Sequence, residues 1–250
     1  MRRTKVMVSH IRQTYEKALN SSNWISSHIR TEMFNKLFNM TIYVGSTGRR
    51  SDPEFVEEVY KPYPDAPLDR LFPTWIRALS LCTPNAWTDQ TNPLYDESEV
   101  NAEYFGDDNI AIVTTALLHD PYLYPYGPLA LNYGGLGMLS SSGRQEALNA
   151  TADSENLADL VGTMISYAAF DSLPAKYKRG TLAGLDMSAE QLFFINTCTK
   201  WCAQRSRPTE DYAPYRSRCI VPLMNMPEFS TAFRCAAGSP MNPRKKCAIW

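Results

Sequence analysis

The sequence predicts a mainly helical fold with a small β element, and three features predict it. Ile25, Ile29, Met33, Phe34, Leu37 and Phe38 recur at helical spacing. Ser188 and Gln191 stand three apart ahead of the apolar run Leu192-Phe193-Phe194-Ile195, which is a capping-box start to a helix. Two short strand-like stretches, Glu99 to Phe105 and Asn109 to Thr114, flank the turn residues Gly106-Asp107-Asp108 and read as a hairpin.

In chain order, residues 3 to 38 form two helices broken near Asn20 to Asn23. Ser46 to Pro67 is rich in glycine, proline and charge and reads as a connection. A short helix from Asp52 to Tyr60 interrupts it, with Asp52 as cap and Pro53 in the first position. Leu68 to Leu81 has helical spacing, with Pro73 bending or restarting it. Asp120 to Pro128 holds three prolines and is irregular. Leu129 to Leu139 begins a helix that Gly134, Gly135 and Gly137 weaken. Ser140 to Gly143 reads as a break. Arg144 to Phe170 is one long helix with Glu155 and Asp159 on one face, Ser188 to Gln204 is another, and Met226 to Cys235 is a last short one. Leu192 to Ile195 reads as core, not as a ligand box.

The chain of 250 residues, 44% hydrophobic, is long enough for a real core in one domain or two small ones. A net charge of -1 leaves no basic field for nucleic acid. No apolar run reaches the length of a membrane helix, and the charged start Met1-Arg2-Arg3-Thr4-Lys5 has no apolar stretch behind it, so no signal peptide is expected. Cys198 and Cys202 are four apart, but no second pair or nearby histidine completes a metal tetrahedron. Of His10, His28 and His119, no two share a helical turn. Nucleophile elbow, Walker loop and dinucleotide fingerprint are all absent. Cys82, His119 and Asp120 are the residue types of a cysteine nucleophile set, but nothing in the sequence brings them together. Asn20, Asn39 and Asn149 head glycosylation sequons.

Four ordered pieces carry a resemblance. Val100-Asn101-Ala102 comes first, then Leu131-Asn132-Tyr133-Gly134-Gly135, then Glu155-Asn156-Leu157-Ala158-Asp159. The last is nearly continuous, from Gln191-Leu192-Phe193-Phe194 through Trp201-Cys202, Arg207-Pro208, Asn225, Glu228-Phe229 and Met241-Asn242-Pro243 to Lys246-Cys247-Ala248-Ile249-Trp250. Together they resemble the neprilysin and endothelin-converting enzyme family of zinc metallopeptidases, from about Trp24 to Trp250 with one large internal gap. The resemblance implies the C-terminal lobe of a thermolysin-like zincin, incomplete. It implies one domain over 1–250, with a helical part at 1–98 and a peptidase-like core at 99–250 that carries a deletion near 140–154. The chain reads as the C-terminal portion of a longer protein of the extracellular or membrane-associated kind.

The same resemblance assigns roles. Such a peptidase places His-Glu-x-x-His directly after the glycine segment, because two histidines one helical turn apart hold zinc and the glutamate between them takes a proton from the attacking water. Here the sixteen residues Leu139 to Ser154 contain no histidine, and their one glutamate, Glu146, has no flanking ligands. Glu155 falls on the third zinc-ligand position. Asp159 falls on the position that steadies a ligating histidine, whose partner is missing. Zinc is the family's cofactor, and this chain is expected to bind none. Asn101 and Ala102 match a peptide-binding edge strand, although Glu103 stands where an aromatic is usual. Arg218 matches an arginine that holds substrate carbonyls. Tyr212 replaces the family's transition-state histidine and cannot carry its positive charge. Cys202, Cys235 and Cys247 match disulfide cysteines whose partners lie in the absent half and in the gap.

The resulting expectation is a catalytically incompetent homologue that captures peptides or serves as a scaffold, marginally stable and prone to self-association, with neither nucleic acid nor a membrane segment among its interactions. The alternative is a truncated or mis-spliced form of an active zinc metalloendopeptidase, joined near Ser140 to Gly143.

Overall fold

The computed structural model describes residues 2–46, 48–65, 68–88, 95–139, 152–202 and 213–247, with side chains left out at 68, 83–88 and 152–155. Helices α1 (Arg2–Ser21) and α2 (Ser27–Asn39) form the expected pair. The Ser26 hydroxyl accepts from the Ile29 amide and starts α2. The face of α1 made by Met7, Ile11, Tyr15 and Leu19 is buried in the core. Strand β1 (Thr41–Val44) follows, which sequence reasoning missed. Asp52 and Pro53 then start α3 (Pro53–Tyr60), the Asp52 carboxylate accepting from the Glu54 amide at 3.1 Å.

Helix α4 (Leu71–Thr88) runs seven residues past the expected Leu81. Pro73 does not break it, because the missing amide falls in the first turn, where amides lack an intrahelical partner. Strands β2 (Ala102–Phe105) and β3 (Ile110–Val113) make the antiparallel hairpin, Ala102 facing Val113 and Phe105 facing Ile110. Both are shorter than the sequence pattern indicated. Asn109 takes a positive φ of 52° in the turn between them, a conformation asparagine tolerates better than most residues. The sheet order is β1-β3-β2, with β1 parallel to β3, so β2 is an edge strand.

The core lies where three helical segments meet. α5 (Leu129–Asn132) continues into a wider helical turn over Tyr133–Gly137. α6 (Ala152–Asp171) and α7 (Ala189–Thr199) pack against it. The Ser188–Gln191 capping box forms as the sequence predicts. Phe170, Phe193 and Phe194 are fully buried, and Tyr167 stacks on Phe194 with centroids 5.0 Å apart. Leu192, Phe193 and Phe194 are therefore core, as expected, while Ile195 is exposed. Helix α8 (Tyr215–Met224), which carries Arg218, was not legible in the sequence, and α9 (Pro227–Ala232) is the short last helix. Residues 140–151 and 203–212 lie outside the described residues, and with them the expected break at Ser140 to Gly143, Glu146, Tyr212 and the start of the Arg144 helix.

Candidate functional site

The glycine segment is held by close packing. A Cβ on Gly134 would stand 2.2 Å from the Phe193 carbonyl oxygen, so the backbone of this turn touches the backbone of α7. A Cβ on Gly135 would meet the Tyr122 oxygen at 2.5 Å and the Asn196 amide at 2.6 Å. Side chains add ties. The Asn132 amide oxygen accepts from the Tyr124 amide at 2.7 Å, and its nitrogen donates to the Tyr124 carbonyl at 3.1 Å. The Asn196 side chain donates to the Leu131 and Pro121 carbonyls. The segment that leads toward the expected zinc helix is thus a rigid wall of the site.

Asp159 is fixed on α6, where its side chain is 2% exposed. Arg218 on α8 meets it through two parallel hydrogen bonds: Nε donates to Oδ2 at 2.7 Å, and a terminal guanidinium nitrogen donates to Oδ1 at 3.0 Å. This fork-on-carboxylate geometry is the strongest form of the pair, and the Arg218 side chain is only 10% exposed. Two residues assigned separate roles from the sequence are thus partners of each other. Arg218 also lies over the Trp201 ring, 4.0 Å from its centroid, and Trp201 stacks on Tyr215.

Lys200 is the residue that sequence reasoning passed over. Its ammonium lies 5.4 Å from the Trp201 centroid and donates to the Met138 sulfur at 2.6 Å. Burial pushes the ammonium down to about 7, Asp159 opposes this, and the neighbouring Arg218 charge adds to it. One carboxylate therefore faces two cations. A signal existed: Leu192, Asn196 and Lys200 share one face of α7, and the first two are buried, so the stripe carries a lysine into the interior.

A disulfide joins Cys198 on α7 to Cys219 on α8, with Cα atoms 5.0 Å apart. It sits beside both cations, two residues from Lys200 and one from Arg218. Cys202, Cys235 and Cys247, expected as disulfide cysteines, are free thiols in the structure, and so is Cys82. Their free state agrees with partners that lie in the absent half and in the gap, while the Cys198–Cys219 pair, on two adjacent helices, is one that sequence alone did not reveal.

Asn101 precedes the edge strand β2, and its amide nitrogen donates to Glu103 at 2.7 Å and to Glu99 at 3.3 Å. Glu103, the departure from the family pattern, therefore occupies the amide that the resemblance assigns to a peptide. Ala102 begins the strand, half-buried, and among the described residues no strand pairs with its outer edge. Glu155 lies in α6 one turn before Asp159.

The histidines do not approach this site as a set. His10 on α1 bridges the Tyr133 hydroxyl at 2.8 Å and the Ser172 hydroxyl at 3.0 Å. His28 and His119 are exposed. Among the described residues no group of three histidine, cysteine or acidic side chains could hold a metal ion. With no histidine in the sixteen-residue gap, the residues present do not fit a zinc centre of the family type. No described helix is long and apolar enough to cross a membrane. A cavity of about 480 Å³ lies elsewhere, between the 120–128 loop and α7, lined by Tyr124, Leu182, Leu185, Met187, Leu192 and Ile195.

The sequence profile of Peptidase family M13 matches residues 140–249. Over 98% of its length the chain is 27% identical to Neprilysin-1 of Trittame loki, covering 43% of that protein. It is 26% identical to endothelin-converting enzyme 1 of Mus musculus, covering 40% of it. The chain therefore spans about two fifths of the length of these curated relatives. The first alignment runs over 317 residues against a chain of 250, so it includes positions of the relative with no counterpart here. Among solved structures, the fold matches a Haemonchus galactose-containing glycoprotein complex with a TM-score of 0.81 at 21% identity, over 100% of this chain and 49% of that one. It also matches the inhibitor complex of the Mycobacterium tuberculosis zinc metalloprotease Zmp1, with a TM-score of 0.73 at 18% identity, over 99% and 47%.

Proposed function

We propose, for a chain that is a homologue of the M13 peptidases and has the fold of one half of such a metalloprotease, that it captures extended peptides without cleaving them. The observation that carries this reading is that no group of three histidine, cysteine or acidic side chains among the described residues could hold a metal ion. In the role the resemblance assigns, the Asp159 carboxylate orients a zinc-bound histidine, and both its oxygens accept from Arg218. The histidine pair and the intervening glutamate are absent from Leu139 to Ser154. Peptide capture is supported by β2, an edge strand whose free backbone groups accept another extended chain. Glu155, Asp159 and Tyr212 are then remnant positions, and the backbone edge at Ala102 carries the binding, since the side chains of Asn101 and Arg218 are engaged by Glu103 and Asp159.

The test has two arms. Metal content is measured after dialysis against micromolar zinc, together with hydrolysis of a short apolar peptide. No zinc and no hydrolysis is expected. About one zinc per chain, with hydrolysis that a chelator and Glu155→Ala both abolish, overturns the non-catalytic part. Binding of a fluorescent extended peptide is measured in parallel, and Ala102→Pro, which removes an edge amide, should weaken it. Absence of any peptide binding overturns the capture part.

A second reading, an incomplete product of a gene for an active zinc metalloendopeptidase, draws support from the length of the alignment, since the relative carries residues that this chain lacks. Sequencing of transcripts separates the two. A form with His-Glu-x-x-His inserted after Met138 favours the second reading, and repeated transcripts without it favour the first.

A further inference from the structure

We propose that the apolar stripe of α4 is a self-association surface, covered in solution by the same helix of a second copy of this chain. Phe72, Trp75, Ile76 and Leu79 follow one another at i, i+3, i+4 and i+7, and Leu71 extends the stripe by one position. Their exposures are 64% for Leu71, 69% for Phe72, 52% for Trp75, 48% for Ile76 and 45% for Leu79. No residue from Leu71 to Cys82 is buried. By contrast, α1 buries seven residues along one face.

A helix with an apolar stripe and no buried face lacks the packing that stabilises most protein helices. Its own sequence does not compensate. Pro84 falls inside α4, and a proline in a helix interior costs about 3 kcal/mol. The Phe72 and Trp75 rings contact each other, centroids 5.9 Å apart, but leave most of their surface to water. Something outside the described fold of one chain must cover the stripe for α4 to persist.

Area and charge select the occupant. Aromatic side chains bring roughly 150–250 Å² each, so at the observed exposures the five residues together present on the order of 500 Å². Such a patch sits near the upper end of what monomers expose. Two copies related by a two-fold axis bury about 1,000 Å², the area at which a specific interface becomes credible. Around the stripe stand Asp69, Arg70 and Arg77, one acid and two bases, too mixed to select an acidic or basic partner and too poor in cations for an anionic lipid surface. A surface with this balance is compatible with itself.

Sedimentation velocity of the 250-residue chain, from low to high micromolar concentration, reads the outcome directly. A monomer–dimer shift is expected, with Trp75 emission moving to the blue as the dimer forms. Phe72→Glu with Trp75→Glu should weaken association by at least about 100-fold, because two charges would be buried unpaired. Val6→Glu, at an equally exposed site on α1, should leave it unchanged. Hydrogen exchange of amides 71–88 in the unaltered chain gives a readout that needs no variant, and protection should rise with concentration. A monomer at every concentration, a dimer indifferent to the Phe72/Trp75 charges, or exchange unaffected by concentration each overturns the proposal. So does a chain that stays monomeric while pelleting with phosphatidylserine-containing vesicles.

Discussion

Lys200→Met tests the electrostatics of the site most directly. In the folded chain the Lys200 ammonium is lowered to about 7 from its ordinary value of 10.5, first by burial. Below about pH 7 the lysine is charged in both folded and unfolded chains, and folding carries the full cost of the buried charge. Between about pH 7 and 10.5 the unfolded chain binds more protons than the folded one, so stability rises with pH through that window. At about 1.36 kcal/mol per pH unit the whole interval corresponds to an upper bound of roughly 5 kcal/mol. The side chain is only partly buried as a whole, and water near its end reduces the cost, so about 2 kcal/mol is expected. Methionine has a similar length and no charge. The variant should be more stable than the parent at pH 6.5 by about 2 kcal/mol, and the gap should narrow as pH rises and close only near pH 10.5. Urea denaturation of both proteins across that range, with the free thiols alkylated, measures it. The other charged groups at the site, Asp159 on α6 and Arg218 on α8, are common to both proteins and cancel in the difference. A gap that stays constant or widens with pH refutes the reasoning.

Three further outcomes follow from the same geometry. Arg218→Met leaves the Asp159 carboxylate buried without its fork and should cost about 3 kcal/mol in urea denaturation, while a double variant with Asp159→Asn should cost less than the sum of the singles. Gly134→Ala places a methyl where only 2.2 Å separates it from the Phe193 carbonyl, so the thermal midpoint should fall by about 4–12 °C, roughly what 2–3 kcal/mol does to a chain of this size. Cys198→Ser should lower stability by about 3 kcal/mol, because the bond closes a loop with a sequence separation of 21, and peptide mapping of the parent should recover the Cys198–Cys219 link with Cys202 alkylatable.

What the sequence made legible was local. Helix α2, the Asp52 and Ser188 caps and the turn at Gly106-Asp107-Asp108 each rest on residues a few positions apart and each forms, although the turn also takes in Asn109 and two residues of the α2 stripe, Ile29 and Phe38, are exposed. What it hid was non-local. Strand β1 is four residues, Thr-Ile-Tyr-Val, with no turn beside it to announce a hairpin, and it exists through parallel pairing with β3 about seventy residues away. Helix α8 carries Pro222 and lacks a clean apolar period, so packing against α6 and α7 decides it, not propensity. Arg218 and Asp159 are 59 residues apart, and each was given a ligand of its own before the fold showed that they satisfy each other.

That mutual satisfaction bears on what the site can still bind. A divalent cation at the wall formed by Met138, Asp159 and Lys200 would meet the Arg218 charge and, below about pH 7, the Lys200 charge as well, beside a carboxylate already paired with Arg218. At an effective dielectric of about 20, unit charges 5 Å apart repel by roughly 3 kcal/mol, and a doubly charged ion doubles that for each cation. Recovering metal chemistry would therefore take more than restoring two histidines. Lys200 would also have to lose its charge. Inserting the His-Glu-x-x-His segment into a chain that keeps Lys200 should yield weak zinc uptake, and the same insertion with Lys200→Met should raise it at least about tenfold in metal titration, the least that relieving one such repulsion predicts. Equal uptake by the two inserted chains means that the ammonium lies too far from the metal position to matter, and the loss of function is then confined to the missing segment.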